Sequence, residues 1–223
     1  MALINLRNAL MSKAGSLPRP VEYIESDGNQ WIEIGGLSYG SNTGWMCDFS
    51  VLPARGWGIW GATRIDSDFS TDIGMLITGG GRLRIDRYGR SSREFAVNTG
   101  QRQQVSMNPK GNISSYPYRY YSTLAGNILQ GDTWYSGAYQ TTNKTVAIFW
   151  RKWQISGATP ERPTSMRFYG FELREYSSAT AYTTTLKLSP VSVGGVGAIL
   201  DEITGETYFN MGTGDFVVGP DKN

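Results

Sequence analysis

The side chains that could do chemistry in this chain fall into a few groups. None includes a histidine, because the sequence contains none. Without an imidazole there is no Ser-His-Asp triad, no Cys-His pair and none of the commonest zinc sites. Gly36-Leu37-Ser38-Tyr39-Gly40 spells G-x-S-x-G, but a nucleophile elbow needs a histidine base and a strand-to-helix turn. No helix is predicted there. Glycoside hydrolysis needs two carboxylates at a set separation across a cleft. Glu172 and Glu175 lie on one predicted strand with opposite parity, which points them to opposite faces. Glu22, Glu25 and Glu33 form no obvious pair either. The chain is therefore expected not to be an enzyme.

Two groups suit binding. Asp66, Asp68 and Asp72 form an acidic cluster in a predicted loop, and such oxygen ligands can hold Ca²⁺. The EF-hand spacing is absent, and a solvated loop with local Asx turns explains the same residues. No other cofactor is expected. Sugar binding needs flat aromatic platforms beside planar polar groups. Trp57 and Trp60 flank Gly58-Ile59, and Tyr118, Tyr120, Tyr121, Trp134 and Tyr135 lie near Arg119, Asn127 and Asp132. These aromatics are the candidate carbohydrate-binding residues. Core packing is the alternative for the two tryptophans, and loop or inter-subunit packing for the others.

The elements that must position these groups are strands. Gly is abundant at 28 residues, and turn signals recur at short intervals: Gly79-Gly80-Gly81, Asn98-Thr99-Gly100, Gly194-Gly195. This cadence predicts a sandwich or barrel. Alternation predicts strands at Gly44–Leu52, Ile73–Thr78, Arg82–Arg87, Gln103–Met107, Met166–Tyr176, Thr184–Leu188 and Ala198–Asp201, among others. Ser26-Asp27-Gly28-Asn29 reads as a hairpin connection between Val21–Glu25 and Trp31–Ile34. Asp201 to Glu206 reads as another, with Gly205 at a positive-φ position. Residues 108–142 are less regular and read as long loops with one or two weak strands. The lone cysteine, Cys47, has inward parity between Trp45 and Phe49 and excludes an intrachain disulfide.

The first segment differs. Leu3, Leu6 and Leu10 recur at helical spacing before Gly15 and the stiff Leu17-Pro18-Arg19-Pro20. So short an amphipathic helix is marginal alone and needs a partner. Residues 1–20 are expected to be an anchoring or oligomerising element and residues 21–223 one β-sandwich domain. A net charge of +2 lacks the footprint of a nucleic-acid binder. No apolar run is long enough to span a bilayer. Arg7 interrupts the only apolar stretch of the N-terminus, so no secretory signal is expected.

Four passages resemble a known family. Residues 19–35 (RPVEYIESDGNQWIEIG) are similar to the EYIESTGTQYIDTG opening of concanavalin A-like, or laminin-G-like, lectin/glucanase domains of bacteriophage, prophage and gut-bacterial surface proteins. Residues 168–173 (FYGFEL) resemble the IYGFKIY strand of that family. Residues 196–210 (VGAILDEITGETYFN) resemble its VGLYDEVNGKFYTN, and residues 212–220 (GTGDFVVGP) its GTGEFVAGP end. Ala198 stands where the family usually has a larger residue, and residues 108–142 diverge. The resemblance implies an all-β jelly-roll sandwich of two antiparallel sheets with a short N-terminal helix or arm. It lacks the Glu-x-Asp-x-x-Glu motif of the glucanase branch.

The expected role is that of a phage virion structural protein: a head fibre, a capsid decoration or a tail-associated adhesin, assembled in the host cytoplasm. Its expected partners are other virion proteins through residues 1–20, sister chains, most simply as a trimer, and host glycans. A glycan-binding module of a tail fibre or bacterial surface protein is the alternative, and a glycoside hydrolase a more distant one.

Overall fold

The computed structural model describes residues 16–53, 58–62, 64–65, 73–78, 81–87, 90–91, 95–110, 119–124, 127–130, 140–150, 153–154, 163–178 and 180–222. Among them the secondary structure is β throughout. Two antiparallel sheets face each other across one core, as expected of a β-sandwich. The helix expected over Leu3, Leu6 and Leu10 lies outside the described residues.

The larger sheet runs in the spatial order β13 (Asn127–Gln130), β12 (Arg119–Leu124), β11 (Gln103–Asn108), β4 (Thr43–Val51), β16 (Ser165–Tyr176), β17 (Tyr182–Val193), β18 (Val196–Asp201), β19 (Thr207–Phe209). Three short strands extend it: β1 (Arg19–Pro20) on β17, β2 (Ile24–Asp27) on β16, and β20 (Val217–Val218) on β2. The smaller sheet runs β10 (Phe95–Ala96), β8 (Arg82–Arg87), β7 (Ile73–Ile77), β5 (Gly58–Ala62), β14 (Gln140–Ile148), β3 (Ile32–Gly40), with β9 (Arg90–Ser91) on β8. A short parallel pair joins β15 (Trp153–Gln154) to β6 (Arg64–Ile65).

Alternation explains the core. In β4, Trp45, Cys47, Phe49 and Val51 point inward and are buried. Opposite them in register, β16 contributes Phe168 to Phe49, Phe171 to Cys47 and Leu173 to Trp45. The smaller sheet answers with Ile32, Ile34, Trp60, Met75, Ile85, Val146 and Ile148. Trp60 bridges the two sheets, with its ring 5.0 Å from Trp45 and 4.8 Å from Phe171.

Several strand expectations change. The Ser26–Asn29 turn is not a hairpin: β2 pairs with β16 and β20, whereas β3 pairs with β14 in the other sheet. The turn is an arch between sheets, and side chains supply the hydrogen bonds that a hairpin ladder would have made. Gly28 N–H donates to Ser26 Oγ, and Asp27 N–H donates to Gln30 Oε1, each at 3.0 Å. Strand β17 also runs well beyond Leu188, through Pro190, whose carbonyl accepts from Val21 N–H at 3.2 Å. Residues 108–142 contain the strands β12 and β13 and also the first residues of β14, which begins at Gln140. The Asp201–Glu206 connection is the expected hairpin, with Gly205 at φ 76°.

The N- and C-terminal parts of the sandwich are stitched together. Glu22 N–H donates to Pro220 O, Gly219 N–H to Tyr23 O and Lys222 N–H to Pro20 O, at 2.8 to 3.2 Å. Arg19 and Asp221 form an ion pair beside them.

Candidate ligand-binding face

A set of polar and aromatic side chains converges on the outer face of the larger sheet, along β16. Alternation in β16 sends Arg167, Glu172 and Arg174 outward while Met166, Phe168, Phe171 and Leu173 fill the core. A bulge adds Tyr169 to this outward set. Phe168 pairs with Phe49 and Gly170 with Asp48, which leaves Tyr169 as the extra residue between them. Bulges of this kind re-aim a side chain, and Tyr169 accordingly meets outward neighbours.

At one end these neighbours form a ladder. Arg102, just before β11, lies over the Tyr169 ring at 4.2 Å. It also grips Asp48 of β4 with Nε at 2.9 Å and Nη2 at 2.7 Å. Tyr169 meets Tyr23 edge-on at 5.7 Å. Arg167 lies 4.7 Å from the Tyr23 ring centre and donates to Glu25 Oε2 at 2.7 Å. Gly219 lies flat on Tyr23, since a Cβ there would sit 2.9 Å from the ring. The bidentate guanidinium–carboxylate pair and the cation–π contacts hold the ladder in one arrangement. Arg102 stays 53% exposed while Asp48 is 13% exposed, so the guanidinium edge reaches solvent from a seated base.

At the other end of β16 a second cluster repeats the chemistry. Arg174 donates to Glu172 Oε2 at 2.8 Å through Nε and lies 4.6 Å from the Tyr182 ring centre. Tyr182 packs on Tyr176 at 5.1 Å and is 45% exposed. Tyr176 in turn occupies the space above Gly44, where a Cβ would lie 2.5 Å from its ring. Beside this cluster Lys187 of β17 pairs with Glu202 at 2.5 Å, and Ser189 donates to the same carboxylate.

Electrostatics follow these contacts. The hydrogen bond with Asp48 raises the pKa of Arg102 despite partial burial. Burial works against the charge on Arg174, and hydrogen bonds with Glu172 and Tyr176 more than offset it. Burial pushes the Tyr169 and Tyr176 phenols up, opposed in each case by an arginine. Lys187 lowers the Glu202 carboxyl.

Sequence reasoning placed the aromatic site elsewhere. Trp60 is a correction: it is 0% exposed, wedged between Trp45 and Phe171, and cannot present a platform. Its parity in β5 aims it between the sheets, where burying a large ring contributes more than exposing it. Tyr120 and Tyr121 lie on β12 as register partners of Met107 and Ser106. Trp57, Tyr118, Trp134, Tyr135 and the aspartates Asp66, Asp68 and Asp72 lie outside the described residues. Among the described residues no group of three or more acidic or thiol side chains is placed to hold a metal ion. Ser38 of the G-x-S-x-G match sits in extended strand β3. Glu172 pairs with Arg174, whereas Glu175 accepts from Thr43 Oγ1 at 2.8 Å.

The alternation Arg167-x-Tyr169 followed by Glu172-x-Arg174 was a readable signal of a polar face on β16. Nothing local marked Tyr23, Asp48 and Arg102 as its companions, because they arrive from other strands. No protein-family model matches the chain, and no curated protein is significantly similar to it.

Proposed function

We propose that this chain is a non-enzymatic structural protein of a bacteriophage particle. In this reading it is a head fibre, a capsid decoration or a tail-associated adhesin, tethered through residues 1–20. The sandwich is of the concanavalin-like jelly-roll class, and its larger sheet presents a glycan-binding surface on its outer face. The observation that carries the binding role is the Asp48–Arg102–Tyr169–Tyr23–Arg167–Glu25 ladder. It sets aromatic rings beside planar hydrogen-bonding groups, which suits the apolar faces and hydroxyl rims of sugar rings. The resemblance of residues 19–35 and 196–220 to phage and prophage domains supports the particle role.

The ion-paired carboxylates of this face are engaged with arginines or a lysine rather than with one another, which supports binding over hydrolysis. One experiment tests both halves of the reading. Particles from a lysate of the producing culture are labelled with gold-conjugated antibody, and the purified protein is tested for retention on host-envelope polysaccharide. Label on the particles, and retention abolished by Arg102→Ala with Tyr169→Ala, is the expected result. Absence of label from every particle sinks the virion role. Retention unchanged in the double variant sinks the assignment of the face.

A further inference from the structure

The two clusters on β16 share one face and lie in line. Tyr169 and Tyr176 are separated along β16 by seven residues including the bulge, which at strand rise is roughly 20 Å. That span exceeds a single sugar ring and matches a short oligosaccharide. Between Tyr169 and Tyr176 lie Glu172 and Arg174 on β16, with Lys187 beside Glu172 on β17, all hydrogen-bonding groups. The line from Tyr23 to Tyr182 therefore has an aromatic group at each end and polar groups along its middle.

Charge decides which oligosaccharide fits. Each cation on this line already has its own carboxylate: Arg102 with Asp48, Arg167 with Glu25, Arg174 with Glu172, Lys187 with Glu202. An acidic sugar would bring a further carboxylate beside these, with no unpaired cation on this line among the described residues to receive it. A neutral sugar needs none. A guanidinium has five N–H groups, and Asp48 engages Arg102 through only two nitrogens. The remaining donors, with the outer lone pairs of the carboxylates, suit hydroxyls that both donate and accept.

Resting on the reading of this face as a glycan surface, we infer that its ligand is a neutral, extended oligosaccharide. It lies along β16 and engages both aromatic clusters at once. It is not a terminal acidic sugar held at one point.

Calorimetric titration with neutral homo-oligosaccharides of glucose, galactose, mannose and N-acetylglucosamine, from monosaccharide to hexasaccharide, tests this against oligogalacturonates of matching length. In the series that binds, affinity rises about tenfold or more from disaccharide to hexasaccharide as the second aromatic cluster engages. Affinity changes less than about twofold on raising salt, since no charge pairs form with the ligand. Tyr182→Ala lowers hexasaccharide affinity about tenfold and leaves the disaccharide unaffected, whereas Tyr169→Ala weakens both. Arg102→Lys, which keeps the charge and the fold but loses the planar fork, weakens both as well. Equal affinity for short and long chains, or tighter salt-sensitive binding of oligogalacturonate, overturns the inference and leaves the glycan surface standing. No binding in either series overturns the surface and the inference together.

Discussion

Gln30 donates through Nε2 to the carbonyl of Thr213 at 3.1 Å, across 183 positions of sequence. The same side chain accepts from Ser26 Oγ and from Asp27 N–H, each at 3.0 Å. Around it, Asn210 Oδ1 accepts from Trp31 N–H and Gly212 N–H, and Thr213 N–H donates to Asn29 O. The opening and closing motifs of the sandwich are thus one structural unit. Replacing Gln30 by Leu leaves the Asp27 donor and the Thr213 acceptor without their partner. The expected cost is about 1–3 kcal/mol, read as a lower urea midpoint with an unchanged m-value. An unchanged midpoint would show that the network contributes nothing net.

Two glycines in this region are required for different reasons, and alanine separates them. At Gly205 the backbone is left-handed, but an added Cβ meets nothing. Gly205→Ala is expected to cost about 1 kcal/mol, and Gly205→Val more, since β-branching resists positive φ. At Gly212 a Cβ would overlap the carbonyl oxygen of Asn29 and lie 2.7 Å from the Trp31 ring. Main chain cannot yield there as a flexible side chain would, so Gly212→Ala should cost about 3 kcal/mol. Thermal melting that ranks the two alanine variants the other way contradicts this account.

Cys47 is buried at the centre of β4, and burial followed by the neighbouring Asp48 charge pushes its thiol well above the ordinary range. A protonated, inaccessible thiol is unreactive. The native protein should give no colour with Ellman's reagent, and full reaction of its one thiol should appear only with urea unfolding. Rapid reaction under native conditions would place Cys47 outside the core.

Tyr208 on β19 is pushed up to about 12 by burial and by Glu206, which accepts its hydroxyl hydrogen bond at 3.0 Å. The folded state therefore holds this proton more tightly than the unfolded chain, whose tyrosines titrate near about 10. The associated stability is fully present below about pH 10 and is lost as pH rises toward about 12. Ultraviolet titration should show a late-ionising tyrosine that disappears in Tyr208→Phe. The variant should also lose less stability than wild type across that alkaline window. A titration unchanged by the substitution would count against the contact.

At the other end of the chain, Leu17 is 88% exposed where the described residues begin. The apolar spacing of Leu3, Leu6 and Leu10 calls for a partner surface. If residues 1–20 are the proposed anchor, their apolar stripe packs on a partner and not on the sandwich, and Leu6→Asp with Leu10→Asp should leave the melting temperature of the sandwich within about 1 °C. On the proposed particle role it should abolish incorporation into particles. Incorporation at the wild-type level would refute the anchor.

Much of this was legible in the sequence because it depends on local parity. The alternation of Trp45, Cys47 and Phe49 determined an inward face without reference to any other strand. Gly205 announced a tight hairpin, and the absence of histidine removed whole classes of chemistry. Parity also showed that Glu172 and Glu175 do not form a pair. Pairing between distant segments was decided only by the tertiary structure. Ser26–Asn29 has the residues of a hairpin, yet its flanking strands enter different sheets, because Gln30 finds Thr213 and β2 finds β16. Phe149 has no local feature that favours φ 70°, and it adopts that value while buried against Phe168 and Phe216. The aromatic rings chosen from the sequence included Trp60, which the larger sheet covers. The rings that reach the outer face, Tyr23, Tyr169 and Tyr182, meet their arginines across strand register and a bulge. A single strand cannot specify that register, since it depends on which strand becomes its neighbour.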